Sequence, residues 1–495
     1  MRPLDLGVIL GYFALTMGIG LWVTRNQRTA GDYFLGSRDL PMWSVLLSIV
    51  ATETSALTVI SGPGIGARGD LTFLQLPFGY FVGRFLVAWW LLPGYFAGKQ
   101  ETAYARLETR FGVSTRRLIS AAFLLTRFLG DSVRIFAGAI PLALVTGWSV
   151  PMAIVAMGGV TVAYTWFGGL KAVVWADVVQ LAIYLAGGVA ALLIAWQLGG
   201  GMGPSLELSA GAGKLRVLDW SVNLTSTYTV LGGLLGGALL TAASHGTDHL
   251  IVQRLLATRS LGDAKRALIG SGAVVVLQFL LFLLVGSAIW AAGRAPDGLP
   301  ADQIFPRFII EALPVGISGL VIAGILAAAM STISSSINAL ASAATHDFYV
   351  GLTGRTDPGH LMRVGRAISG GWGAALIGGA LMFHAYAAGG DTPAVVLALS
   401  IASVTYGALL GTYLLAQIDR VRAANVALAA VSTIAVMLVV VFARRLSDAG
   451  WAASLAPLGR LAWPWYVPIG TAWCLSIGWL SSWLGSAPLP REAPS

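Results

Sequence analysis

Ser48-Ile-Val-Ala-Thr-Glu-Thr-Ser-Ala-Leu-Thr-Val-Ile-Ser-Gly-Pro-Gly-Ile-Gly66 is apolar enough to enter a membrane, yet it is unsuited to a plain lipid-facing helix. Pro63 stands between Gly62 and Gly64, and Glu53 lies among uncharged residues. A proline removes a ladder hydrogen bond, and a carboxylate in hydrocarbon is costly, so this stretch must face protein or water and be interrupted. Five predicted spans later Gly232, Gly233, Gly236 and Gly237 precede Thr241 and Ser244. Two interrupted helices in corresponding positions of two five-span halves point to an inverted-repeat architecture, in which unwound backbone frees carbonyls for a cation and helix ends for a solute. For the seventh span, glycines that merely let helices pack closely are the competing account.

The surrounding sequence fits that architecture. Of 495 residues, 56% are apolar and only 11% charged, which excludes a soluble protein and leaves no room for a large extramembrane catalytic lobe. The fold expected is an all-α polytopic membrane protein of about 13 transmembrane helices. Spans are expected at 6–23, 42–66, 72–97, 118–147, 150–169, 174–199, 224–244, 266–292, 309–343, 366–388, 393–417, 423–443 and 463–485. They form one transporter domain over 1–495: an extra N-terminal helix (6–24), a first repeat (42–199), a second, inverted repeat (224–417) and two C-terminal helices (423–485). The net charge of +9 is not gathered on any soluble module, so nucleic acid is not an expected partner, and the lipid bilayer is. With the N-terminus outside and the C-terminus cytoplasmic, 19 Lys and Arg fall inside, 9 outside and 3 within spans, as the positive-inside rule requires. Arginine-rich, alanine- and glycine-rich usage suggests a bacterial inner membrane. The one cysteine, Cys474, excludes a disulfide framework.

Ala327-Ala-Ala-Met-Ser-Thr-Ile-Ser-Ser-Ser-Ile-Asn338, in the ninth span, is the strongest candidate site. Ser331, Ser334 and Ser335 share one helical face, Thr332 borders it and Ala328 lies a turn before it, which makes a ladder of neutral oxygens. Hydroxyls and carbonyls suit a hard monovalent cation. Single serines in membrane helices often just bond back to the preceding turn. Asp177, at the start of the sixth span, either caps and pairs with Lys171 or supplies a counter-charge for that cation. Arg127, Asp131 and Arg134 share a face of the fourth span, where they either neutralise one another or leave Arg134 to bind the carboxylate of an anionic solute. Glu53, Ser55, Thr58 and Gln75 are candidate neighbours of that solute. Ser244-His-Gly-Thr-Asp-His249 is read as an inner connection, with Asp248 available to Arg254 or Arg259, rather than as a metal site. Thr345-His-Asp-Phe-Tyr349 is read as an interfacial ending of the ninth span.

Three runs then resemble a known family: Gly168-Gly-Leu-Lys-Ala-Val-Val-Trp-Ala-Asp-Val-Val-Gln180, Asp248-His-Leu-Ile-Val-Gln-Arg-Leu-Leu-Ala257 and the serine run of the ninth span. Together they look like the sodium:solute symporter family, and the resemblance covers essentially the whole chain. It implies a LeuT-type fold with an extra N-terminal helix and the sodium ion as coupling ion. It implies a first sodium site at Ala51 and Thr54, through backbone oxygens, with Ala328, Ser331 and Thr332. A second site, present in some members, would fall on Asp177, Ser331, Ser334 and Ser335. Glu53 departs from the family's usual small polar residue or aspartate. The expected function is sodium-coupled symport of a small organic solute by alternating access, with up to two sodium ions per cycle. A proton-coupled transporter of the same fold and a non-transporting membrane sensor are the alternatives. No Ser-His-Asp or HExxH pattern and no nucleotide loop is present, so no enzyme is expected. Oligomeric state leaves no sequence signal.

Overall fold

The computed structural model describes residues 2–24, 27–98, 100–387, 394–448 and 453–484. Residues 388, 393 and 485 at the edges of predicted spans, and Arg25, Lys99 and Arg491 of the charge count, lie outside these. The described chain is built of helices, with a lone bridge between Leu40 and Thr258. α1 (Pro3–Thr24) and the short α2 (Ala30–Leu35) precede α3 (Met42–Glu53) and α4 (Ala56–Arg68), which meet at 67°. α5 (Gln75–Leu86) continues through a π turn as far as Phe96, and α6 (Ala105–Phe111) leads into α7 (Val113–Thr146) and α8 (Val150–Leu198). α9 (Met202–Gly211) lies in the connection between the halves. α10 (Gly237–Gly246), preceded by a π turn over Gly232–Gly236, runs into α11 (His249–Leu256). α12 (Leu261–Ala291), α13 (Ala301–Ala312), α14 (Ile317–Ala343), α15 (Pro358–Ala387), α16 (Ala394–Leu415), α17 (Ala423–Asp448) and α18 (Tyr466–Leu484) follow.

Every predicted span overlaps one of these helices. Among the described residues seven helices are long and apolar enough to cross a membrane, and the α3–α4 pair makes an eighth if counted as one span. α8 accounts for two predicted spans: at φ 55°, ψ −157°, Gly169 interrupts a 49-residue helix that would otherwise be about 73 Å long, more than twice a hydrocarbon core. An L-residue at that φ would be strained, so glycine is required there. α14 is buried without a gap from Val321 to Ala343, packed by α1, α3, α4, α7 and α8. A helix apolar all round, with small residues and hydroxyls, belongs in such a bundle centre.

The two breaks are not both where glycine suggested. α3 and α4 part at Thr54 (φ −82°, ψ 112°) and Ser55 (φ −97°, ψ 166°), inside the opening stretch as expected. In the seventh span the glycines stay helical. A Cβ on Gly233 would strike the backbone of Gln75, and one on Gly79 would strike the Gly233 carbonyl, so these glycines serve close approach of α5. The break in that half falls at Thr247 and Asp248, between α10 and α11, in the stretch read as an inner connection. Every residue from His245 to Ala257 is buried, so this is interior protein rather than a loop.

Candidate cation and solute site

At the first break, the α3 C-terminus leaves its last carbonyls without intrahelical partners. Val50 accepts both the amide (3.1 Å) and the hydroxyl (2.8 Å) of Thr54. The carbonyls of Ala51, Thr52 and Glu53 lie past the last helical amide. The Thr54 hydroxyl also meets the Gln278 amide of α12, and Tyr184 of α8 donates to Thr54 (3.2 Å) and to Gln278 (2.8 Å). Ser55 makes no side-chain cap on α4; its hydroxyl lies 3.4 Å from that of Thr58. Free carbonyls and neutral hydroxyls beside a kink form the sort of oxygen-rich, low-charge place that a monovalent cation requires.

α14 faces this break through its hydroxyls. The Thr332 hydroxyl donates to the Ala328 carbonyl (3.2 Å), and that of Ser334 to the Ser331 carbonyl (3.0 Å), the back-bonding that small hydroxyls commonly make in helices. Ser331 instead donates to Asp177 (2.6 Å). Ser335 meets Thr52 (3.1 Å) and accepts from Arg254. Ser48 (2.5 Å) and Thr52 (3.3 Å) of α3 also donate to Asp177. α3, α8, α11 and α14 thus converge on one carboxylate.

Asp177 is fully buried in mid-helix and pairs with Arg254 of α11 at 3.2 Å; it neither caps α8 nor pairs with Lys171. Arg254 was assigned to an inner loop on its charge, but its guanidinium is fully buried and also donates to Ser48 (2.9 Å). Of the residues assigned to the second cation site, Asp177, Ser331 and Ser335 are joined by hydrogen bonds through Thr52 and Arg254, and Ser334 lies against Ser331. Of the first, Ser331 and Thr332 sit one turn beyond Ala328 on α14, while Ala51 and Thr54 flank Thr52 and Glu53 at the α3 end. Ser48, Thr52 and Arg254 were missed because small hydroxyls and a lone arginine are read only once their partner helices are known.

The remaining charges are paired. Glu53 accepts from Arg84 of α5, whose guanidinium also lies 3.2 Å from His245, itself 3.5 Å from Glu53. Asp248 does not pair with Arg254 or Arg259. Its Oδ2 accepts from Arg127 (2.5 and 3.0 Å) and Tyr406 (3.2 Å), its Oδ1 caps Leu250 N, and Arg259 pairs with Asp39. Arg134 donates through Nη1 to Asp131 (2.9 Å), which also accepts from Ser336. Mutual neutralisation therefore holds for Asp131, yet Arg134 keeps a quarter of its side chain exposed. Gly138, one turn along α7 from Arg134, packs on Ala56 and Ala329, so this part of α7 lies against the start of α4 and against α14. Gln75 is spent elsewhere: it donates to Thr72 and Tyr228 carbonyls and accepts from Asp219 N, fastening the outer connection. The supposed interfacial ending 345–349 is a π turn, with Asp347 buried against Arg116 (2.7 Å), Thr102 and Ser120. Among the described residues no group of three or more His, Cys, Asp or Glu could hold a metal ion.

A broken helix facing a buried hydroxyl-rich helix, with paired charges inside an all-helical membrane bundle, defines a LeuT-fold secondary transporter. The sodium:solute symporter family matches residues 33–369, and the chain belongs to that family. It is 30% identical to the sodium/sialic acid symporter SiaT of Proteus mirabilis over 74% of this chain and 75% of that one. It is 29% identical to the sodium/sialic acid symporter NanT of Aliivibrio fischeri over 73% of each. Its structure is similar to that of a substrate-bound, outward-open sodium-coupled sialic acid symporter, with TM-score 0.85 and 26% identity over 98% of this chain and 99% of that one. A nucleobase-cation-symport-1 family transporter, 14% identical, shares the fold at TM-score 0.57, over 93% of this chain and 95% of that one. The protein is an integral membrane, sodium-coupled solute transporter and not an enzyme.

Proposed function

We propose that this transporter imports a small organic acid of the sialic acid class, with Arg134 as the anchor of its carboxylate and Ser55 and Thr58 as hydroxyl partners. The observation that carries the reading is the half-spent guanidinium of Arg134: Asp131 takes one nitrogen and a quarter of the side chain remains exposed. A second carboxylate can be held there without leaving Asp131 unpaired. Glu53, neutralised by Arg84, contributes shape and polarity to the pocket rather than net charge. The likeness to two sialic acid symporters supports the solute class.

In this reading one sodium ion is held by Ala51, Thr54, Ala328, Ser331 and Thr332, bracing the kink against α14. A second is held by Asp177, Ser331, Ser334 and Ser335, in exchange for Arg254, which pairs with Asp177 and donates to Ser335. Each sodium moving inward down 100 mV releases about 2.3 kcal/mol, and a tenfold gradient adds about 1.4. For a monoanion, whose own entry against that potential costs about 2.3 kcal/mol, one ion then supports about tenfold accumulation and two several thousand-fold. The protein works in a bacterial inner membrane, N-terminus outside.

Uptake into proteoliposomes under an imposed sodium gradient, compared for sialic acids, monocarboxylates, neutral sugars and vitamins, tests the reading. Sialic acid uptake is expected, with KM raised about tenfold or more in Arg134→Ala and partly restored in Arg134→Lys. Unchanged KM for the transported acid in Arg134→Ala, or preference for a neutral solute, overturns it.

A further inference from the structure

A groove of about 260 Å³ lies where the end of α1, the segment around α2 and the start of the second half of α8 meet, lined by Trp22, Gln27, Asp32, Ser37, Lys171 and Trp175. α1 is 22 residues long, about 33 Å, so it spans a hydrocarbon core and its end at Trp22 falls at headgroup depth. Trp22 is 67% exposed, and Trp175 stacks edge-on against the exposed Trp43 at 5.4 Å, an arrangement of the kind found in interfacial aromatic belts.

The polar groups are of both signs, and among the described residues Lys171 and Gln27 Oε1 lack partners. Lys171 has no ion-pair or hydrogen-bond partner among the described residues. Gln27 donates to the Gly168 carbonyl (2.5 Å), while its own Oε1 is buried with no donor among the described residues. A buried acceptor left without a donor is destabilising, so a bound group that donates to it would be held there. Asp32 accepts from Ser37 (2.6 Å) and from two backbone amides, but no cation faces it among the described residues.

We propose that this groove is a binding site for a phospholipid headgroup of the phosphatidylethanolamine type, its phosphate on Lys171 and its ammonium donating to Gln27 Oε1 and facing Asp32. The chemistry discriminates among headgroups. Phosphatidylcholine has no N–H to give Gln27. Phosphatidylglycerol can donate hydroxyls but brings net negative charge to the Asp32 carboxylate. Lys171 lies six residues before Asp177 on the same helix, just past the Gly169 interruption, and Gln27 is tied to Gly168. The bound lipid therefore braces the helix that carries the buried aspartate.

The test uses the full-length protein in detergent, with phosphatidylethanolamine, phosphatidylglycerol and phosphatidylcholine of identical acyl chains, read by lipid retention in native mass spectrometry and by melting temperature. Phosphatidylethanolamine should be retained and raise the melting temperature. Lys171→Ala should weaken retention about tenfold, and Lys171→Arg should keep it. Should Lys171→Ala fail to fold, Gln27→Met provides the second variant and should also lose the preference over phosphatidylcholine. Equal retention by Lys171→Ala and the unmodified protein, equal binding of all three lipids, or preference for phosphatidylglycerol overturns the proposal.

Discussion

The two helix breaks are built from opposite materials. At Thr54 and Ser55, just past the Glu53–Arg84 pair, the groups at the break itself are neutral: hydroxyls, the Gln278 amide, and carbonyls that have no further helical amide. At Thr247 and Asp248 the break is charged and its bonds are satisfied internally. Asp248 caps α11 with one oxygen and holds Arg127 and Tyr406 with the other, Thr247 bonds back to Ala243, and Tyr95 donates to the Gly246 carbonyl. A break whose polar groups are consumed by protein can act as a hinge or strut, whereas one with carbonyls past the last helical amide keeps acceptors free. The pseudo-symmetry of the fold therefore does not make the two breaks equivalent.

The charged break should be the more costly to disturb. Asp248→Asn leaves Arg127 buried with only the more distant Asp131, 3.7 Å away, and should cost about 3 kcal/mol of stability. Thermal unfolding in detergent measures this, and the double change Asp248→Asn with Arg127→Gln should recover most of it. A single variant as stable as the unmodified protein would mean that the break is not held by charge. The neutral break should behave in the opposite way. Ser331→Ala with Thr332→Ala removes hydroxyls that bond mainly within α14 or to Asp177, so melting should change little while sodium affinity in uptake falls about a hundredfold. Undiminished sodium dependence would remove the cation from this break. Gln278→Leu lies between these cases. It strands the Tyr184 and Thr54 hydroxyls, should cost about 1 kcal/mol in melting, and should weaken sodium affinity only modestly.

An interrupted first span was legible from Pro63 and Glu53, although Pro63 stays inside α4 and the chain parts beside Glu53; the serine run was legible because its hydroxyls repeat at helical spacing. The second break was misplaced. Glycine signals either a break or a close approach, and only the neighbouring α5 backbone decides that for Gly233. A better signal was present in Asp248 ahead of the apolar positions 250–252, 255 and 256, which recur at helical spacing as in a capped helix start. Arg254 was unreadable for a different reason: an arginine near a span end reports topology by default, and its burial depends on Asp177, Ser48 and Ser335, far apart in sequence but brought together by three other helices.

The smallest effect sharpens the comparison at the periphery of the charged break. The segment before α6 packs on the start of α11: the Ala103 amide donates to His249 (3.2 Å), and the Tyr104 hydroxyl accepts from the His249 amide (3.3 Å). The same segment carries Glu101, whose carboxylate lies 2.7 Å from His346 and is held below its ordinary pKa by that imidazole. A carboxylate with a lowered folded pKa adds stability above its unfolded pKa and loses it as pH falls through the folded value. Melting temperature should therefore drop slightly on acidification below the usual carboxylate range, and Glu101→Gln should lack that part of the drop. Glu101 is 56% exposed, so screening keeps the effect well below 1 kcal/mol. An effect as large as that of Asp248→Asn would show that the charged break is held from its solvent edge rather than by its buried pair.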